Sequence, residues 1–361
     1  MSLKRIPLHH IHEKLGAKMM PFAGFEMPVR YSSDKEEHLC VRESVGVFDV
    51  SHMGEFMLEG PKALDLIQKV TSNDASKIVD GQAQYTCMPN ETGGIVDDLL
   101  VYRFHQEKYM LVVNASNIEK DWQWIAQRNN EGVRMTDVSD DTVLLAVQGP
   151  KATEILQKLT DINLEEVGFY RFTEGKLAGQ DMIISGTGYT GESGFELYIP
   201  KAGAEQVWNQ IFEVGEPYGI KPIGLGARDT LRLEMALCLY GNDITDETSP
   251  LEAGLGWITK FTKEFTNAEN LKNQKEEGVS RKLVGFEMLD RGVPRNGYEL
   301  LNEDSEVIGH VTSGTMSPSL EKGIGMGYVQ KAYASPGTGI KVRVRKKELR
   351  AQVVKRPFLK K

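Results

Sequence analysis

The sequence predicts an α+β protein: two copies of an α+β unit followed by a small β-barrel. Three observations carry that prediction. First, Gly60-Pro61-Lys62-Ala63 followed by Gln68-Lys69-Val70-Thr71 recurs 89 positions later as Gly149-Pro150-Lys151-Ala152 followed by Gln157-Lys158-Leu159-Thr160. Second, each copy continues through a glycine-turned hairpin into an amphipathic helix. Third, from Arg281 to Phe358 short alternating runs are broken by turns such as Asn296-Gly297 and Pro336-Gly337, as in a small barrel.

Taken in order, the chain of 361 residues has room for two or three domains, and 40% hydrophobic with 26% charged residues is ordinary globular composition. Met1 to Ile11 mixes charge, Pro7 and histidines where a secretory signal needs an apolar run, and no stretch is long enough to span a bilayer, so the expected location is cytoplasmic. His9, His10 and His12 lack helical i,i+4 spacing and a partnering acid, and are expected at the surface. The expected segments are 1–50, 51–139 (first repeat), 140–278 (second repeat and connector) and 279–361 (barrel). In each repeat a strand (Glu55 to Leu58; Val143 to Val147) runs into a helix whose proline suits the first turn, where its missing N–H costs nothing. Ser116-Asn117-Ile118-Glu119 has capping-box spacing at the start of the first closing helix, and the second runs from about Ala202 to Val214. Asn267 to Glu277 with Gly278 reads as a helical connector. Cys40, Cys87 and Cys238 have neither zinc nor redox spacing and read as inert buried thiols.

The chemistry centres on Gly93-Gly94-Ile95-Val96-Asp97-Asp98-Leu99-Leu100-Val101-Tyr102. A turn opens into an apolar strand bearing two adjacent carboxylates, and alternation puts Asp98 and Tyr102 on one face, Asp97 on the other. Either both acids lie at an exposed hairpin end or one faces a cavity; pattern alone leaves this open. In the second copy, Ile184 to Leu197 is expected to be the counterpart hairpin, with Glu196 on its strand. Gly186, Gly188 and Gly191 spell GxGxxG, but the run leads into a strand rather than a helix, which excludes a dinucleotide loop. Arg228 and Arg232 fall one turn apart on a helix opened by Gly224 and Gly226; Asp229 can pair with Arg232, or Arg228 can grip a carboxylate. His52, beside Ser51 and Gly54, is either a hydrogen-bonded structural histidine or aimed inward. The net charge of −8 argues against a general nucleic-acid binder, yet residues 341–361 hold ten Lys or Arg against one Glu. In Lys341-Val342-Arg343-Val344-Arg345 alternation puts the cations on one strand face, either a solvated surface or a dock for an acidic partner.

Together, Phe22-Ala23-Gly24-Phe25-Glu26-Met27-Pro28, Phe48-Asp49-Val50-Ser51-His52-Met53-Gly54-Glu55, the Gly93 to Leu99 run, Gly188-Tyr189-Thr190-Gly191-Glu192, Gly224 to Asp229, Leu239-Tyr240-Gly241 and Thr312 to Leu320 resemble, in family order, the bacterial aminomethyltransferase (T-protein) of the glycine cleavage system. The resemblance implies a three-domain cloverleaf around a central folate cavity. It also implies tetrahydrofolate as co-substrate, a lipoyl carrier (H-protein) as partner, and no metal, nucleic acid or membrane. The transfer would move the one-carbon unit of a lipoyl-bound aminomethyl group to tetrahydrofolate, releasing ammonia; a monomer is expected, though the sequence itself leaves the oligomeric state open. It places Asp98 as the catalytic carboxylate facing the folate. Glu196 would bind the amino-pyrimidine edge of the pterin, since a carboxylate accepts two parallel N–H bonds. Arg228 would bind the folate glutamate or nearby polar groups, and Met53, Tyr85, Asn114, Tyr170 and Tyr189 would form the wall and polar rim. The sequence departs from the family's Arg-Thr-Gly-Tyr-Thr-Gly-Glu-Asp-Gly at two positions, where it has Gly186 and Ser193. Two relatives on the same fold are disfavoured. Iron-sulfur assembly proteins carry a Lys-Gly-Cys-Tyr-x-Gly-Gln motif that this sequence lacks, and demethylating modules are fused to flavin dehydrogenases, for which a dinucleotide domain would be needed.

Overall fold

The computed structural model describes residues 3–360. They form two compact units. One holds residues up to Ile67, Ala75–Tyr85 and Leu99–Asp229; the other holds Gln68–Asp74, Thr86–Asp98 and the chain from Thr230 onward.

The N-terminal segment contributes β1 (Lys4–Arg5), α1 (His9–Lys14), β2 (Lys18–Phe22) and β3 (Phe25–Arg30), with the strands in the order β1-β3-β2. Next come α2 (Asp34–Glu43), whose first turn is capped by Ser33 Oγ accepting from Glu36 N at 3.1 Å, and β4 (Gly46–Asp49). The expectation of surface histidines fails for two of three. His12 is fully buried between Asp49 (Nε2 to Oδ2, 2.9 Å) and the Tyr31 hydroxyl (2.8 Å to Nδ1), and His9 is buried against Glu26 at 2.9 Å. Asp49 and Glu26 lie 37 and 17 residues away, beyond the reach of a local pattern, although His9 also has Glu13 one helical turn on, Nδ1 to Oε2 3.4 Å.

The first repeat runs β5 (Gly54–Glu59), α3 (Ala63–Val70), β6 (Gln82–Pro89), β7 (Ile95–His105), β8 (Lys108–Val113), α4 (Ile118–Arg128) and β9 (Arg134–Asp137). The second runs β10 (Thr142–Gln148), α5 (Ala152–Leu156), β11 (Phe172–Leu177), β12 (Gln180–Ser185), β13 (Gly194–Pro200), α6 (Ala204–Gly215) and β14 (Lys221–Pro222). The duplication is visible in the sheets: β6-β7-β8-β5-β9 in one and β11-β12-β13-β10-β4-β14 in the other, so that four strands match in order. Both strand-to-helix turns use a glycine in a conformation that L side chains avoid, Gly60 at φ +120° and Gly149 at φ +136°; a Cβ on Gly149 would also lie 2.3 Å from the Ser44 carbonyl oxygen. The matching order corrects one expectation. Asp98 lies on β7, whose counterpart is β12, whereas Glu196 lies on β13, the counterpart of β8; the two carboxylates are not equivalent positions of the repeat. The capping box also does not form, because Asn117 rather than Ser116 precedes α4 and makes no side-chain cap.

In the second repeat, Val143, Leu145 and Val147 of β10 and Leu197 and Ile199 of β13 pack with Val207, Trp208 and Ile211 of α6 in one core. Each such side chain stabilises by about 1.5–3 kcal/mol on burial. α7 (Leu225–Glu234) and α8 (Ala268–Glu277) follow, the latter stopped by Gly278 at φ +86°. Arg232 of α7 is buried and held by Asp243 Oδ2 at 2.7 Å, Ser313 Oγ at 2.8 Å and the Leu237 carbonyl at 2.9 Å. These bonds satisfy the charge where it lies.

The C-terminal strands β15 (Arg281–Met288), β16 (Glu299–Leu301), β17 (Val307–Ser317), β18 (Lys322–Gln330), β19 (Gly339–Val344) and β20 (Lys347–Val354) close into a six-stranded barrel in the order β15-β18-β17-β16-β19-β20. Phe286, Leu300, Val311, Val342 and Val353 fill it. The basic strip is less uniform than alternation suggested. Lys341 and Arg343 are ion-paired, both with Glu348 at 3.3 Å and Arg343 also with Glu299; Arg345 lies past the strand in the turn, at φ +57°.

Candidate functional site

Unit one carries most of the expected residues, and its electrostatics centre on Glu196. The register of β12 and β13 sets Ser185 directly opposite Glu196, and alternation puts Tyr198 on the same side of β13. Beyond the end of β12, Thr187 Oγ1 donates to Glu196 Oε2 at 2.5 Å. Tyr102, from β7, brings its hydroxyl within 3.1 Å of Thr187 Oγ1, 3.2 Å of Ser185 Oγ and 2.9 Å of the Tyr198 hydroxyl. Burial pushes the Glu196 pKa up; the Thr187 hydrogen bond and the charge of Arg228 pull it back.

Arg228 stacks its guanidinium 4.5 Å from the Tyr189 ring centroid, which brings two expected residues together. The same cation and, more strongly, burial push His52 down to about 3, so that its imidazole is neutral. His52 is packed edge-on by Phe22 and Phe25, with ring centroids 5.5 and 6.4 Å away, and its Nδ1 has no hydrogen-bond partner among the described residues. It is therefore not the hydrogen-bonded structural histidine that one sequence reading offered. Met53 follows it in the turn into β5, half-buried.

The loop of residues 186–194 is fixed at several points. Arg42 donates to the Thr190 carbonyl at 2.7 Å and pairs with Glu192 at 2.9 Å, while Gln148 accepts from Thr190 Oγ1 at 2.9 Å and donates to the Thr187 carbonyl at 3.2 Å. It leads into β13, as the rejection of a dinucleotide loop required. Gly186, where related sequences were expected to carry arginine, has no room for a side chain: a Cβ would lie 2.4 Å from the Gly168 carbonyl oxygen. That close approach holds the segment bearing Tyr170, whose N–H donates to the Gly186 carbonyl at 3.0 Å and whose φ is +58°. The Tyr170 carbonyl in turn accepts from Ala83 N at 2.9 Å, two residues before Tyr85 on β6. Asn114 directly follows β8 and is half-buried.

Asp97 and Asp98 belong to unit two. Asp97 is completely buried and Asp98 half-buried, so alternation separates them as expected. Their strand is anchored by Ile95, whose N–H donates to the Thr245 carbonyl at 3.0 Å and whose carbonyl accepts from the Tyr240 hydroxyl at 2.9 Å. The charge of Asp98 is felt by the buried Cys87 and Cys238 thiols, which burial above all pushes up, Cys87 to about 12. Cys40 is only partly buried, contrary to expectation.

Sequence reasoning missed the hydroxyl group of Tyr102, Ser185, Thr187 and Tyr198. It also missed Glu55, 1% exposed, whose two carboxylate oxygens have no hydrogen-bond partner among the described residues. An acidic residue inside the apolar run Glu55 to Leu58 was the signal available. A separate cleft of about 740 Å³ in unit one, lined by Met57, Lys108, Arg134 and Tyr198 among others, contains none of the expected site residues. Among the described residues no group of His, Cys, Asp or Glu is placed to hold a metal ion, and no helix is long and apolar enough to cross a membrane.

Comparison with known proteins gives a consistent result. The GCVT N-terminal domain family matches residues 8–263, and the glycine cleavage T-protein C-terminal barrel domain family matches residues 281–360. The chain is 62% identical over 360 residues to the aminomethyltransferase of Flavobacterium psychrophilum, covering 99% of this chain and 100% of the relative. It is 51% identical over 358 residues to that of Halothermothrix orenii, at the same coverage. The crystal structure of glycine cleavage system aminomethyltransferase T from Bartonella henselae superposes with a TM-score of 0.93 at 36% identity, covering 99% of this chain and 98% of that one.

Proposed function

Because the chain belongs to the glycine cleavage T-protein family and is an aminomethyltransferase of that system, we propose that Glu196 and Arg228 hold its tetrahydrofolate and that Asp98 serves the chemistry. The observation that carries this reading is the Glu196 carboxylate itself: buried, held on Oε2 by Thr187, with Arg228 close enough to favour its ionised form. A carboxylate so fixed suits the two adjacent N–H groups of a pterin's amino-pyrimidine edge, which donate in parallel. Arg228, stacked on Tyr189, offers its donor fork to the folate glutamate or nearby polar groups. Met53, Tyr85, Asn114 and Tyr170 supply the remaining wall and rim.

The family uses tetrahydrofolate, and membership of the glycine cleavage system implies interaction with the H-protein. In the proposed reaction the aminomethyl carbon loses its bonds to the lipoyl sulfur and to the amino nitrogen. It gains two bonds to folate nitrogens, giving 5,10-methylenetetrahydrofolate, ammonia and the dihydrolipoyl carrier. Asp98 acts either by accepting a proton from a folate nitrogen or by stabilising the cationic carbon as it forms. We also propose a cytoplasmic monomer, a three-domain cloverleaf about the folate cavity, and the segments 1–50, 51–139, 140–278 and 279–361. The gap between the two family matches, residues 264–280, supports the last boundary. The test is ammonia release from an aminomethylated lipoyl carrier: tetrahydrofolate should accelerate it strongly, and release indifferent to tetrahydrofolate would contradict the reading.

A further inference from the structure

Three of the four hydroxyls behind Glu196, those of Tyr198, Tyr102 and Thr187, form a directed chain. Tyr198 has only the Tyr102 oxygen, at 2.9 Å, as hydroxyl partner among the described residues, so its proton goes there. Tyr102 then donates to Thr187 (3.1 Å), and Ser185 Oγ, 3.2 Å from the Tyr102 hydroxyl and 2.9 Å from Thr187 Oγ1, is placed beside them as an acceptor. The Thr187 proton is committed to Glu196 Oε2 at 2.5 Å, because an ionised carboxylate only accepts. The Tyr198, Tyr102 and Thr187 protons can therefore run toward the carboxylate along one path, with Ser185 beside it as an acceptor, and hydroxyls aligned in this way polarise one another in a low-dielectric interior. All five residues are at most 8% exposed. No described residue donates a hydrogen bond to Oε1, so the same arrangement leaves that oxygen for a ligand.

We propose that Thr187, backed by Tyr102, is a positioning residue: it locks the Glu196 carboxylate in the orientation that presents Oε1 to the amino-pyrimidine edge of tetrahydrofolate. The inference rests on the reading that Glu196 binds the pterin. It adds that the carboxylate alone is not sufficient. A side chain of the same shape without the hydroxyl should leave Glu196 free to turn, lowering folate affinity with little effect on turnover once folate saturates.

The experiment is calorimetric titration of tetrahydrofolate into Thr187→Val, Thr187→Ser, Glu196→Gln and the Glu196→Gln/Thr187→Val double variant, with kcat at saturating folate and thermal melting recorded for each. Thr187→Val should raise the Kd about tenfold, the scale of one lost charge-assisted hydrogen bond, and Thr187→Ser should recover to within about threefold of the parent. The double variant should bind no more weakly than Glu196→Gln, since the two changes remove one device. An unchanged Kd in Thr187→Val beside a raised one in Glu196→Gln would overturn the inference while sparing the pterin reading. An unchanged Kd in Glu196→Gln would overturn the pterin reading itself. If Thr187→Val fails to fold, Tyr102→Phe, which leaves residue 187 intact, should still raise the Kd about threefold, and no change there would equally overturn the inference.

Discussion

Glu55 and Glu196 are glutamates on strands of the same unit, both deeply buried and both pushed up in pKa by that burial, but only one is given groups that work against the shift. Glu196 has a hydroxyl donor on one oxygen and the field of Arg228, which work against the cost of burying its charge. Glu55 has neither: both oxygens lack partners among the described residues, and burial, reinforced by the fields of Asp137 and Glu196, raises its pKa well above the carboxylate range. Burial alone therefore does not decide protonation; the donors supplied to the charged form do. On the proposed reading Glu196 presents a charge to the folate, while Glu55 has no donor to hold one.

The same contrast within one residue type recurs on β7, where Asp97 is wholly buried and Asp98 half-buried. Asp98→Asn should give the largest loss, slowing turnover about 100-fold or more at saturating tetrahydrofolate, the scale of a lost acid-base group. Asp97→Asn should cost far less, and equal losses in kcat would break the assignment by alternation. Next in size is Gly186→Ala, which drives a methyl against the Gly168 carbonyl beside the residue that holds Glu196. We expect about 1–3 kcal/mol of lost stability in urea melts, together with weaker folate binding as the Tyr170 segment shifts. A neutral outcome in both would mean that the loop yields without strain.

Glu55→Gln sharpens the comparison through pH. A group whose folded pKa lies above its unfolded value of about 4.3 favours folding fully below that value, and the contribution is lost as pH rises through the folded pKa. The variant should therefore match the parent near pH 4 and melt a few degrees higher at pH 8. A parent advantage at pH 8 would show that Glu55 is ionised and paired. Smallest is the barrel. Lys341 and Arg343 are already paired with glutamates, so we propose that Arg345 in the turn and Lys347 at the start of β20 offer the charge that attracts an acidic carrier. Reversing Arg345 and Lys347 should raise the carrier KM about two- to fivefold and flatten its salt dependence without touching folate affinity.

Much of this was legible because it is local or repeated. The Gly60 and Gly149 turns, the strands beginning near Glu55 and Val143 and the barrel from Arg281 all follow from short-range pattern. What escaped depends on which strands become neighbours. The Asp98 and Glu196 hairpins look alike in sequence, and only the strand order shows that they occupy different places in the repeat. His12 finds Asp49, and Tyr102 finds Thr187, across 37 and 85 residues, distances at which no spacing rule operates. The fully buried Asp97 shows the limit from the other side: alternation told it apart from Asp98, but not how deeply it would be covered.

Whether Glu196 is the presented charge and Glu55 the silent one can be read by titrating tetrahydrofolate into Glu196→Gln and Glu55→Gln side by side at neutral pH. The Kd should rise about 10- to 100-fold in the first, as a charge-assisted pair is degraded, and stay within about twofold of the parent in the second. Equal effects in the two variants, or an unchanged Kd in Glu196→Gln, would contradict that contrast.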